Sequence, residues 1–205
     1  MILNKDLIKN ELDKLFPNPK CELNYSKDYE LVLSVMLSAQ TTDKSVNKVT
    51  DILYKKYNSL EKLNTLSIEE IESYIKSIGL SKTNSKNFKS IVEELVKIGC
   101  VPNDRKYLES LPGVGRKTAS VILSHLFNVP SFAVDTHVFR VSKRLGITNN
   151  KDDVLSTEKK LKKYFNKEDW NRLNSQFVLF GRYHCKSIKP ECENCKLKSI
   201  CKIKR

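Results

Sequence analysis

The apolar residues of this 205-residue chain return every three or four positions along its length, with no convincing run of strict alternation. That spacing lines one face of a helix and cannot line one face of a strand. Leu3, Leu7, Ile8, Leu12, Leu15 and Phe16 mark a first helix, ended by Pro17 and Pro19. Residues 29–39 are apolar on nearly every side, which predicts a helix buried in the middle of a bundle. Val46, Val49, Ile52, Leu53 and Tyr57 mark another amphipathic stretch. Ser67-Ile-Glu-Glu70 reads as a capping box, in which hydroxyl and carboxylate each satisfy a free backbone N–H. Phe88, Ile91, Val92, Leu95, Val96 and Ile98 keep the period until Gly99 supplies a left-handed stop. Asp135 precedes Val138, Val141 and Leu145, and Gly146 closes that segment. Residues 152–165 and 169–183 also read as helices. The predicted class is all-α, with the short connections usual in bundles.

Composition narrows the function classes. An apolar fraction of 40% excludes a disordered chain, and 6 Gly with 6 Pro exclude a collagen-like one. The length allows one or two domains with a real core and no disulfide scaffold. The longest apolar stretch, residues 31–39, is broken by Ser34 and Ser38 and is too short to span a bilayer. The N-terminal pattern lacks the apolar core and cleavage site of a signal peptide. A soluble intracellular protein is expected, with cysteines reduced or metal-bound. The formal charge of +13 favours a polyanionic partner, either nucleic acid or an anionic membrane surface. Thirty of the 37 cations are lysines, so charge alone does not choose. It is unevenly spread: residues 182–205 hold eight Lys/Arg against two Glu.

The same segment holds Cys185, Cys192, Cys195 and Cys201, spaced C-x6-C-x2-C-x5-C. Four thiolates so close in sequence can wrap one metal centre, which would supply the fold energy that so short a segment lacks. Tetrahedral zinc and an iron–sulfur cluster both suit four cysteines. Zinc ribbons usually carry two C-x2-C knuckles, and only one is present here, so the wider spacings lean towards the larger object. Cys21 and Cys100 stand alone and read as inert thiols.

Leu111-Pro-Gly-Val-Gly-Arg-Lys-Thr-Ala119 lies between two helical segments. A dinucleotide-binding loop would need a third glycine where Thr118 stands, and a P-loop needs a different spacing. What fits is a helix–hairpin–helix. Pro112 presets the turn, Gly113 and Gly115 permit backbone angles closed to other residues, and the N–H groups opening the second helix can hold a phosphate. That is sequence-independent binding of a DNA backbone. Lys117 falls in the first turn of the second helix, where the helix dipole and the adjacent Arg116 both disfavour a protonated amine, as an amine nucleophile requires. Asp135 reads as a helix N-cap whose carboxylate could also stabilise a developing cation or relay protons. His137 follows two residues later and reads as structural at least as well as catalytic.

Taken in order, Leu111–Ala119, Val134-Asp-Thr-His137 and the cysteine pattern resemble the endonuclease III family. This is the helix–hairpin–helix, iron–sulfur branch of the DNA base-excision glycosylases. Leu37-Ser-Ala-Gln-Thr-Thr-Asp43 and Ile78-Gly-Leu80 follow its pattern too. The resemblance implies two helical domains with a DNA-binding groove between them. Residues 21–130 would form a six-helix barrel carrying the hairpin, and residues 1–20 with 131–205 the iron–sulfur cluster domain. It implies a [4Fe–4S] cluster on Cys185, Cys192, Cys195 and Cys201. It also implies a monomeric, bifunctional DNA glycosylase and abasic-site lyase in the cytoplasm or nucleoid. The partner would be double-stranded DNA containing damaged bases or abasic sites, with no membrane involved.

By the same resemblance, Lys117 attacks C1′ of a flipped, oxidised pyrimidine nucleotide, and a Schiff base and β-elimination cut the strand on the 3′ side. Asp135 assists base loss and proton transfer. Gln40 and Leu80 fill the vacated space and wedge the duplex. Gly113, Val114, Gly115 and Arg116 face the DNA backbone, and Lys186 and Lys189 lie in a loop the family uses against phosphates. Adenine-mismatch relatives carry a glutamate where Ser34 stands and lack the lysine. Two alternatives remain: a monofunctional glycosylase for mismatched or alkylated bases, and a non-catalytic DNA-binding module with structural zinc.

Overall fold

The computed structural model describes residues 2–39 and 41–203, and among them are eleven α-helices and no strand. They divide into two compact units, Cys21–Phe127 and Met1–Lys20 with Asn128–Arg205.

In the first unit, α2 (Asp28–Leu37) is the hub, with α3 (Asp43–Lys56), α6 (Ser81–Ile98) and α8 (Arg116–Phe127) packed against it. Every residue of α2 from Glu30 to Leu37 is buried, which explains its apolar character all round. Glu30 tolerates burial because its carboxylate accepts from the Ser26 and Lys27 backbone N–H groups at 2.7 and 3.1 Å and from the Ser26 hydroxyl at 3.0 Å. The short helix α4 (Leu60–Asn64) and α5 (Ile68–Ile75) lie against α6, and α7 (Arg105–Ser110) lies against α8. The Ser67–Glu70 capping box forms at 3.1 and 2.8 Å, and Gly99 ends α6 in the left-handed conformation.

In the second unit, α9 (Thr136–Arg144) packs between α10 (Val154–Tyr164) and α11 (Trp170–Tyr183), while α1 (Ile2–Leu15) lies along α11. Ile8 and Leu12 of α1 enter a core built on Phe132, Phe165 and Phe177, so the start of the chain closes over its end. Polar ties fix the register of α1. Lys9 pairs with Asp169 at 2.5 Å and Asp13 pairs with Arg172. The buried Gln176 amide donates to Asp13 at 2.8 Å and to the Phe16 carbonyl at 2.9 Å. No helix among the described residues is long and apolar enough to cross a membrane.

Candidate functional site

The hairpin forms between α7 and α8. Asp104 caps α7 by accepting from the Tyr107 N–H at 2.9 Å, and the Leu111 carbonyl accepts from Val114 N at 3.0 Å to close the turn. Leu111 and Val114 are buried, so Val114 offers only its backbone to an outside partner. The two glycines differ. Gly113 has φ +79°, and a Cβ there would stand 2.7 Å from the Asn87 amide nitrogen and 3.1 Å from Met36 Cγ. Gly115 lies outside the left-handed region, and a Cβ on it would meet nothing within 4 Å. The expectation that both glycines serve unusual backbone angles is therefore corrected for Gly115. Gly113→Ala should cost at least about 1–2 kcal/mol, the penalty of a left-handed non-glycine residue, read as a lowered denaturation midpoint.

The Gly115 carbonyl accepts from Ala119 N at 2.9 Å, which opens α8 with Gly115, Arg116 and Lys117 all exposed. The first N–H groups of any helix have no partner inside it, so this face suits an anion.

Leu80 stands out in the same unit. It is 56% exposed and has φ +48°, a conformation that costs a leucine about 1–2 kcal/mol. Its frame is fixed on both sides. Ile78 is buried ahead of it, and the Leu80 carbonyl accepts from Thr83 and Asn84 N at 3.1 and 2.9 Å behind it. The fold thus holds an apolar side chain out into solvent at a conformational cost. Gln40 lies outside the described residues. Ser34 is fully buried and structural: the Tyr54 hydroxyl donates to the Glu30 carbonyl at 3.1 Å, leaving its oxygen to accept from Ser34 at 3.0 Å. Burial pushes the Tyr54 phenol far up from its ordinary value.

In the other unit, Asp135 is the N-cap of α9, accepting from Val138 N at 2.7 Å through Oδ1. It is half-buried. The Arg140 guanidinium donates to His137 Nδ1 at 3.1 Å and to the Gly181 carbonyl at 2.7 Å. A guanidinium can only donate, so His137 Nδ1 is the acceptor of that bond. Arg140 sits below its ordinary pKa, through burial first and then the neighbouring Arg144, while Cys185 and Asp135 act in the opposite sense.

The four C-terminal cysteines are all half-buried and none is disulfide-bonded. Cys185 and Cys195 pack on the core of their unit, anchored by the buried Leu197. Burial pushes the Cys195 thiol up, and charge on Cys185, Cys201 and Cys192 pushes the same way, so Cys195 lies within electrostatic reach of the other three. Among the described residues no group of three or more His, Cys, Asp or Glu stands at the spacing of a single metal ion. The donor set fits a four-thiolate group. In the loop between the first two cysteines, Lys186 pairs with Glu191 at 2.8 Å, Ile188 is 78% exposed and Lys189 has φ +49°. Lys186 therefore carries its own counter-charge, which the spacing of the lysines alone does not reveal. Arg140 and Arg144 also escape the sequence reading. Their i, i+4 spacing on a capped helix was the available signal.

Residues 33–167 match the family model for the HhH-GPD superfamily base excision DNA repair protein. Endonuclease III of Bacillus subtilis (strain 168) is 48% identical, with 98% of this chain and 94% of the relative covered. Endonuclease III of Escherichia coli (strain K12) is 42% identical over 92% of this chain and 90% of the relative. Among solved structures, an endonuclease III trapped as a covalent intermediate with DNA superposes with a TM-score of 0.89 at 45% identity, covering 97% of this chain and 95% of that one. A thermostable thymine-DNA glycosylase, 22% identical at a TM-score of 0.81, shares the fold. The chain belongs to the endonuclease III family. It is an enzyme of the DNA glycosylase/lyase class.

Proposed function

We propose that this protein is a bifunctional DNA glycosylase and abasic-site lyase that removes oxidised pyrimidines from double-stranded DNA. One observation carries the reading. Lys117 is an exposed amine in the first turn of α8, and the chain superposes on an endonuclease III trapped covalently on DNA.

Lys117 Nζ adds to C1′ of a nucleotide turned out of the stack, the glycosidic bond breaks, and the base leaves with its electron pair and takes a proton. The amine nitrogen then forms a Schiff base with C1′ as the sugar ring opens. Loss of a proton from C2′ expels the 3′ phosphate, so the strand is cut on the 3′ side. Asp135, with Oδ1 engaged by the α9 backbone, stabilises the cationic centre and passes protons through its other oxygen. Leu80, held out at a conformational cost, takes the place of the extruded nucleotide, a role the family pattern shares between Leu80 and Gln40. Gly113, Val114, Gly115 and Arg116 present the hairpin backbone to a phosphate, and Lys186 and Lys189 add phosphate contacts.

A Cβ at residue 115 has room inside the protein, so the glycine there serves an approaching phosphate. Gly115→Ala should leave stability within about 0.5 kcal/mol and weaken duplex binding several-fold.

Cys185, Cys192, Cys195 and Cys201 hold a [4Fe–4S] cluster, which supplies fold energy to the C-terminal segment. The support is the donor set: four half-buried thiols, with Cys195 in electrostatic reach of the other three. Purified protein should be brown, with about four irons per chain. A colourless protein carrying zinc would overturn the assignment.

The function is tested with a panel of duplexes carrying oxidised pyrimidines, mismatches, alkylated bases or an abasic site, scoring base release and strand cutting separately. Both activities on oxidised pyrimidines are expected. Base release without cutting would leave a monofunctional glycosylase.

A further inference from the structure

Arg144, the last residue of α9, is joined to both ends of the four-cysteine segment. Its guanidinium donates through Nη1 to the Cys185 carbonyl at 3.1 Å, to Cys185 Sγ at 3.3 Å and to the Lys186 carbonyl at 2.6 Å, and through Nη2 to the Ser187 carbonyl at 3.4 Å. Its own carbonyl accepts from Lys202 N at 2.7 Å, one residue past the last cysteine. The helix stops there for a local reason. Gly146 follows, and a Cβ on it would stand 2.7 Å from Lys202 Cε, so the turn after α9 is pressed against the returning chain. Arg140, one turn earlier, donates to the Cys185 carbonyl at 3.1 Å. Two like charges converge on one residue because the carbonyls at the end of α11 and beyond it offer them acceptors.

We propose that Arg144 is a positioning residue for the metal centre: it sets the orientation of the Cys185 sulfur and fixes the start of the Lys186–Glu191 loop on the same guanidinium. Four acceptors around a planar donor fork cannot be matched by an ammonium, so lysine is not equivalent here. A hydrogen bond to a cluster thiolate disperses its negative charge and so favours the reduced state of the cluster. The inference rests on the cysteines holding a cluster, as proposed above.

The test compares the holoprotein with Arg144→Gln and Arg144→Lys, using Arg172→Lys as a control. Arg172 is ion-paired in the same unit with Asp13 and Asp169. Three quantities are read: iron per chain, the half-time of loss of the sulfur-to-iron absorption under chelator, and the cluster's reduction potential. Arg144→Gln should lose its cluster at least about tenfold faster and show a more negative potential, the scale on which outer-shell partners of metal ligands act. Arg144→Lys should fall short of wild type on both, and it keeps the test available where the glutamine variant folds poorly. Arg172→Lys is expected to lower the melting temperature and to leave the potential unmoved. Wild-type potential and wild-type chelator resistance in both Arg144 variants would overturn the proposal. Zinc in place of iron in the wild type would instead overturn the cluster, and the half-time of zinc release would then read the role of Arg144.

Discussion

Lys117→Gln should abolish strand cutting at abasic sites, by at least about 10³-fold, the scale on which loss of a covalent nucleophile is felt. The glutamine side chain is of similar length and cannot form a Schiff base. Lys117 is exposed in the first turn of α8, and a substitution there should barely change stability. Removing a cation from a helix N-terminus is, if anything, favourable. Duplex binding should therefore survive, because the Gly113–Arg116 backbone is untouched. Single-turnover cutting of an abasic duplex, paired with a binding titration, separates the two. Loss of cutting with binding retained is the expected pattern.

The second large effect is at Asp135, where two roles coincide. Asp135 caps α9 by accepting from Val138 N at 2.7 Å. Asparagine caps a helix about as well as aspartate, whereas alanine gives up about 1 kcal/mol. Asp135→Asn should therefore keep the denaturation midpoint of the wild type and lose about 10²–10⁴-fold in base release, the range for removing a positioned acid–base group. Asp135→Ala should lose both stability and activity. If Asp135→Asn releases base at the wild-type rate, the carboxylate is a cap and nothing more.

The helices were legible because burial here follows the helical period closely. The apolar stripe of α6, ending at Gly99, and the α2 segment buried on all sides needed no tertiary information. The five residues of α4 are too few to show a period, and that helix was not readable. Gly113 and Gly115 look alike in sequence, but their difference depends on Asn87 and Met36, which the fold brings to one of them only. The strained backbone of Leu80 and Lys189 has no compositional signal, since neither is a residue that prefers positive φ. Arg144 was invisible for a related reason. Its partners lie more than 40 positions away, and its chemistry arises only when α9 meets the end of α11. The lysines of the cysteine loop were legible as charge, but the Lys186–Glu191 pair, which neutralises one of them, was not.

The central claim is that the amine of Lys117 becomes covalently bound to the DNA during the reaction. The most direct measurement is incubation of the holoprotein with an abasic-site duplex and borohydride, followed by mass spectrometry of the digested adduct. The account predicts a stable protein–DNA adduct carried on the peptide containing Lys117 and absent from Lys117→Gln. Strand cutting without an adduct, or an adduct carried on a different lysine, would contradict it.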